Sequence, residues 1–261
     1  MTVHLKAHGL RGPLPQALLT LTLAVGVLAS VPARAADDVA ALLAAADRWR
    51  AGSDAMQIET EVSVLARDGT LQKQRRYTVF MQPARKSLVL MRSPAEAGQK
   101  VLMLGDDFWL LMPGSQRALR ITPSQKLLGD AATGDIATLR WAEDYGGMLQ
   151  GEAACPSPDE ARACRHLSLV AARKGVTYAR IELWIGRARS EPVAAELFVQ
   201  SDKLAKRARF LLQQGQVQEM LLQDELGGGR ITRVRYLERH ARTVPEAWLN
   251  PMFLARNPEI E

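Results

Sequence analysis

From Ile58 onward the chain alternates. Ile58, Thr60, Val62 and Val64 are separated by Glu59, Glu61 and Ser63, the period of a half-buried strand. Asp68-Gly69 then signals a hairpin turn. A second strand is expected from about Gln72 to Met81, and a third from Ser87 to Met91. Two more short strands flank Gly105-Asp106, and there the alternation stops. Val101, Leu102, Met103, Leu104, Phe108, Trp109, Leu110 and Leu111 place apolar side chains on both faces. Strands of that kind must be covered on both faces. In one small sheet the cover is helices or a bound apolar ligand.

Helical spacing brackets these strands. Asp37-Asp38 followed by Val39, Leu42, Leu43 and Trp49 predicts a capped amphipathic helix ending near Gly52. Thr122-Pro123 opens a helical turn, and Ile136 to Leu149 predicts a helix carrying Trp141, Tyr145 and Met148. The second half returns to strict alternation. Ile181, Leu183 and Ile185 oppose Arg180 and Glu182; Val193, Ala195, Leu197 and Val199 oppose Glu196 and Gln200. Ala208, Phe210 and Leu212 oppose Arg207 and Arg209, and strands over Val217–Gln223 and around Val234 and Tyr236 follow. Pro245 to Leu254 reads as a short helix. Few of the turns suit parallel crossovers. The expected fold is α+β: a single antiparallel sheet of about ten strands, curled because open sheets of that size curl, with helices on the concave face.

The first residues say where the chain works. Lys6 and Arg11 precede an apolar run from Leu14 to Val31, which ends in Pro32-Ala33-Arg34-Ala35. Cations, a short apolar core and an A-x-A site make a cleaved secretory signal. Pro15, Gln16 and Gly26 argue against a membrane-spanning helix. The expected division is a leader over residues 1–35 and one domain over 36–261, exported to an oxidising compartment. Losing the leader removes three cations and no acids, so the formal charge falls from +6 to +3. The mature protein is then only mildly basic, which suits transient contact with anionic headgroups better than nucleic acid. Cys155 and Cys164 are the two cysteines, and an oxidising compartment pairs them.

Catalytic chemistry is scarce. His4 and His8 leave with the leader, and neither His166 nor His240 has the i, i+4 partner of a zinc helix. Gly129 to Gly134 has the opening of a phosphate loop, but Asp135-Ile136 follows where Lys-Ser or Lys-Thr is needed. Asp130, Asp135, Glu143 and Asp144 could form a carboxylate pair or a calcium site, although turn capping explains the first two. No metal, cofactor or catalytic residue is assigned. The arginines over 203–209 and 230–242 make either a solvated sheet face or a docking surface.

One stretch is distinctive as a series. It reads R-S-P-A-E-A-G-Q-K-V-L-M-L-G-D-D-F-W-L-L-M-P from Arg92, then R-A-L-R-I-T-P-S-Q-K-L-L-G-D, then T-G-D-I-A and W-A-E-D-Y. Tyr178 to Trp184 followed by Pro192-Val193 adds a "Y…LW…P" strand pair. The series resembles the outer-membrane lipoprotein-sorting family, the relatives of the periplasmic carrier LolA. The resemblance implies a half-open β-barrel closed by helices over an apolar cavity. It also implies a carrier, most simply a monomer, that takes acylated lipoprotein or lipid from an inner-membrane transporter and catalyses nothing. The cavity and lid residues expected on this basis are Leu102, Leu104, Trp109, Leu111, Ile136, Leu139, Trp141, Leu183 and Leu197. Arg120, beside the expected lid, is a candidate latch, through backbone carbonyls or through Asp130 or Asp135. Two other readings stay open: a carrier of glycolipid or another hydrophobe paired with a resistance-nodulation-type exporter, and a lipoprotein-sensing binding module. An acyl-ester hydrolase is a third.

Overall fold

Among the described residues thirteen strands pair antiparallel into one sheet, against about ten expected from the alternation. The structure is a computed structural model that describes residues 1–2, 33–121, 140–156 and 163–256, with side chains of the first helix from Val39 onward. Met1–Val31 is a separate unit, and the whole sheet belongs to Pro32–Glu261. The chain lays down β1 (Met56–Leu65), β2 (Leu71–Gln82), β3 (Lys86–Met91), β4 (Lys100–Leu104), β5 (Asp107–Leu111) and β6 (Leu119–Ile121) as one meander. A second meander comprises β7 (Tyr145–Ala154), β8 (Ala163–Ala171), β9 (Arg180–Gly186), β10 (Pro192–Phe198), β11 (Leu204–Gln213), β12 (Gln216–Asp224) and β13 (Ile231–Ala241). Pairing of β1 with β13 joins the two, leaving β6 and β7 as the edges. The sheet does not close.

The hairpins follow local chemistry. Between β1 and β2, Gly69 adopts φ +87°, and Asp68 Oδ1 accepts the Thr70 N–H at 2.9 Å. That is the Asp-Gly turn read from the sequence. One helix, α1 (Ala33–Ala51), precedes the sheet. It starts four residues before the Asp37 cap expected for it. It stops where Gly52, at φ +81°, donates its N–H to the Arg48 carbonyl.

Curling shows in the core. One apolar cluster draws Val39, Leu43 and Ala46 of α1 together with Val79 of β2, Phe108 of β5, Leu169 of β8 and Leu222 of β12. A flat sheet of this width would spread roughly 55–60 Å at ~4.8 Å per strand. The concave face instead wraps the helix. A second cluster lies on the outer face, where Phe80, Leu88, Leu90, Leu102 and Leu111 are covered by Val244, Leu249 and Leu254 of the C-terminal segment. Within that segment only Glu246–Leu249 is helical, as a single 3₁₀ turn, in place of the expected short helix. Trp248 packs edge-on against Phe80, with ring centroids 5.6 Å apart.

The distant arms of the sheet also meet at one end. Arg85, in the turn between β2 and β3, pairs with Asp106 of the β4–β5 turn and with Asp144 just before β7, each at 2.6 Å. Arg173, beyond β8, stands 4.0 Å from Asp106. This cluster joins strands near one edge to strands at the other.

The expected helix over 136–149 is corrected. Trp141 to Asp144 form a turn, and Tyr145 to Leu149 belong to β7. Trp141, Tyr145 and Met148 have helical spacing, but Gly146, Gly147 and Gly151 favour an edge strand over a helix interior. Residues 122–139 lie outside the described residues. Cys155 and Cys164 form a disulfide with Cα atoms 5.0 Å apart. Such a short closed loop stabilises the fold by about 2–3 kcal/mol in the chain-entropy account.

Candidate functional site

The buried stripe of α1 runs Val39, Leu43, Ala46 and then Arg50, at steps of four, three and four. Three apolar side chains enter the concave core, and the same face carries the arginine in with them. Arg50 is 4% exposed. Its guanidinium lies 3.8 Å from the centroid of Trp141 and 5.9 Å from that of Phe210. The two rings themselves meet edge to face at 5.6 Å. A guanidinium on an aromatic face gains cation–π attraction when desolvated.

Asp47, one turn earlier on α1, is also buried. Its two oxygens accept the backbone N–H groups of Trp141 and Ala142 at 2.9 Å each. This fixes the turn before β7 to the helix. Burial pushes the Asp47 carboxyl up to about 6, against the opposing pull of Arg50 and of the two N–H groups. An acid with a raised folded pKa keeps its proton where the unfolded chain has lost it. Stability from this group is therefore present below about 4 and lost as pH climbs to about 6. The rise from 3.8 to about 6 corresponds to about 3 kcal/mol. We expect Asp47→Asn to lack this decline. Urea denaturation at pH 4 and pH 6.5 should show the variant gaining up to about 3 kcal/mol on the wild type across that interval. Parallel profiles would refute it.

Between α1 and the strands lies a cavity of about 50 Å³. Arg50, Trp141, Phe210, Ile181, Leu197 and Leu222 form its wall, with Tyr145 and Tyr178 at one side. Ligand pockets span about 300–1,000 Å³ and are mostly apolar with a few placed polar groups. The wall has that character. Two other charged residues line the cavity. Arg140 is committed to Asp54, Glu143 and the backbone carbonyls of Ser53 and Asp54. Asp144 is committed to Arg85. Glu143 and Asp144, read as possible partners in a carboxylate pair, thus have separate arginines.

The expected cavity residues divide between the two faces. Trp141 and Leu197 line the cavity, and Leu183 is buried in the same concave cluster. Leu102 and Leu111 belong to the outer cluster, with Leu104 and Trp109 packed against it. Register explains this. Leu88, Leu102 and Trp109 are paired across β3, β4 and β5 and share one face, whereas Val89, Val101 and Leu110 share the other. Ile136 and Leu139 lie outside the described residues. So do Asp130 and Asp135, the expected latch partners. Arg120 is two-thirds exposed and pairs with Asp107 on the neighbouring strand. Sequence reasoning misses Asp47 and Arg50. The signal for Arg50 is its place on the stripe begun by Val39, Leu43 and Ala46.

The arginines of the outer face are largely paired. Arg207 meets Glu196 and Glu225, Arg233 meets Glu219, and Glu61 joins Arg76 to Arg235. His166 stacks on Trp184 at 4.6 Å and contacts Glu182 at 2.7 Å.

A family model described as "Uncharacterized protein" matches residues 83–256, about two thirds of the chain. A LolA superfamily protein from Nitrosomonas europaea has the same architecture. It superposes with a TM-score of 0.71 at 28% identity, over 80% of this chain and 96% of that one. In sequence and fold the chain resembles the LolA superfamily. Two further solved structures share its fold. A DUF1329 family protein from Desulfovibrio piger has a TM-score of 0.66 at 21% identity, over 83% of this chain and 97% of that one. An outer membrane lipoprotein-sorting protein domain from Vibrio parahaemolyticus has 0.64 at 18%, over 82% and 97%. No curated protein matches the sequence. The sheet, α1 and the turn that carries Trp141 together form the wall of the cavity. No helix among the described residues is long and apolar enough to cross a membrane.

Proposed function

We propose that this protein is a periplasmic carrier. It holds the acyl part of a lipoprotein or lipid in the concave cavity. It takes that cargo from an inner-membrane transporter and passes it towards the outer membrane without catalysing a reaction. The single observation that carries the reading is an apolar cavity between α1 and the concave face of a LolA-like sheet. The leader pattern before Ala36 supports export, with maturation near Ala35.

Magnitudes bound the mechanism. Three fully buried acyl chains of about 45 methylenes would be worth roughly 36 kcal/mol at ~0.8 each. Non-covalent affinities saturate near ~20 kcal/mol. Cargo is therefore exchanged between similarly apolar sites and is not released to water.

The test is native mass spectrometry, with lipid extraction, on protein purified from a periplasm without detergent. The expected result is an acylated species bound in stoichiometric amount, and its identity separates lipoprotein from free lipid. A clean apo mass together with no uptake of a fluorescent fatty acid would refute the carrier reading.

A further inference from the structure

Among the described residues, Arg50 is the cavity cation whose donors are unspent. Its Nε and Nη1 are buried and meet no hydrogen-bond acceptor there. Asp47 Oδ1 stands 3.6 Å from Nη1, close enough to offset charge but too far for a hydrogen bond. Both Asp47 oxygens already accept backbone N–H groups. Trp141 covers the face of the guanidinium, so only its edge is left to donate. A buried donor without an acceptor carries its full desolvation cost. Arg140, the other cavity cation, has no such deficit.

We propose that Arg50 receives the anionic head of a single-chain amphiphile whose tail lies along Ile181, Leu197 and Leu222. The inference rests on the carrier reading and narrows its cargo. A planar guanidinium edge with unspent N–H groups matches a carboxylate or phosphate. The surrounding wall is apolar and water-poor, which strengthens that pair. The cavity of about 50 Å³ is far smaller than three acyl chains need, which favours a single tail. A neutral amphiphile of the same length would bury the same tail but leave Nε and Nη1 unsatisfied. Head charge is then what the site selects, and tail burial supplies the rest of the affinity.

The experiment measures binding of three probes to the intact mature protein by displacement of a fluorescent fatty acid. The probes are hexadecanoate, palmitoyl lysophosphatidate and hexadecanol. Both anions are expected to bind about tenfold or more tighter than the alcohol, the worth of one charge-assisted pair. A preference between the two anions tells a carboxylate source from a phosphate source. Arg50→Gln should bring the anions down to the affinity that the same variant shows for hexadecanol, and Arg50→Lys should restore part of the difference. Equal binding of hexadecanoate and hexadecanol by the wild type overturns this inference and leaves the carrier reading intact. So does selectivity that survives Arg50→Gln. Failure of the protein to take up any amphiphile overturns both. The wild-type comparison does not depend on either variant folding.

Discussion

Arg85→Met is expected to destabilise the protein by about 3–5 kcal/mol at neutral pH, the cost of leaving a buried charge without its partner. The Arg85 side chain is 7% exposed and sits between Asp106 and Asp144 at 2.6 Å from each. Asp144 is almost wholly buried. Burial already pushes its carboxyl above the usual range, and Arg85 is the main force pulling it back. Without Arg85, the other cation that pulls on Asp144 is Arg173, which lies against Asp106 and half in solvent. The sign with pH follows. A raised folded pKa means that the folded state holds a proton the unfolded state has released, so stability falls as pH rises above the ordinary value of 3.8. Removing Arg85 raises that folded value further. The variant should therefore lose more at pH 7.5 than at pH 5 in urea denaturation. Arg85→Met/Asp144→Asn should recover much of the loss, because the uncompensated charge has gone. An equal loss in the single and double variants, with no pH dependence, would show that Arg85 acts through packing of its stem alone.

The same cluster shows what a sequence can and cannot disclose. Arg85 and Asp144 are 59 positions apart and lie on turns, where charged residues are ordinarily solvated. Nothing local marks them as buried; only the curling of the sheet brings them together. Strands β9 to β13 were legible because one of their faces is solvated, and the alternation reports that directly. Strand β7 was not. It is an edge strand with three glycines and little burial on either face, so its faint period gave way to the helical spacing of Trp141, Tyr145 and Met148. The need of β4 and β5 for cover on both faces was legible. The identity of the outer cover was not. It comes from Val244, Leu249 and Leu254, more than 130 residues after Leu111. Arg50 was hidden for a related reason. A cation in the last turn of a helix ordinarily answers the helix dipole from solvent. Here the stripe from Val39 through Ala46 carries it under Trp141.

That division of faces makes opposite predictions for two substitutions. Leu102→Ala is expected to cost about 2–5 kcal/mol, the usual range for truncating a fully buried leucine. Leu102 is 0% exposed and lies between Leu88 and Trp109 on the outer face. The C-terminal residues above it are anchored elsewhere. Val244 N–H donates to Gln82 Oε1, and Lys100 Nζ donates to the Leu254 carbonyl. The cover therefore cannot follow the lost side chain inward, so the cost should fall in the upper part of the range. Yet Leu102 faces away from Arg50 and Trp141. At a temperature where the variant remains folded, its affinity for a fluorescent fatty acid should equal that of the wild type. Ala208→Leu should do the reverse. Ala208 lines the cavity on the concave face, so a larger side chain there fills space the tail needs. Overpacking costs about 1–3 kcal/mol, but the main effect should be a fall in uptake. Thermal denaturation and fatty-acid titration of both variants decide the matter. Should Leu102→Ala lose uptake while Ala208→Leu keeps it, the acyl site belongs to the outer face. The C-terminal segment, and not α1, would then be the element that must move to admit cargo.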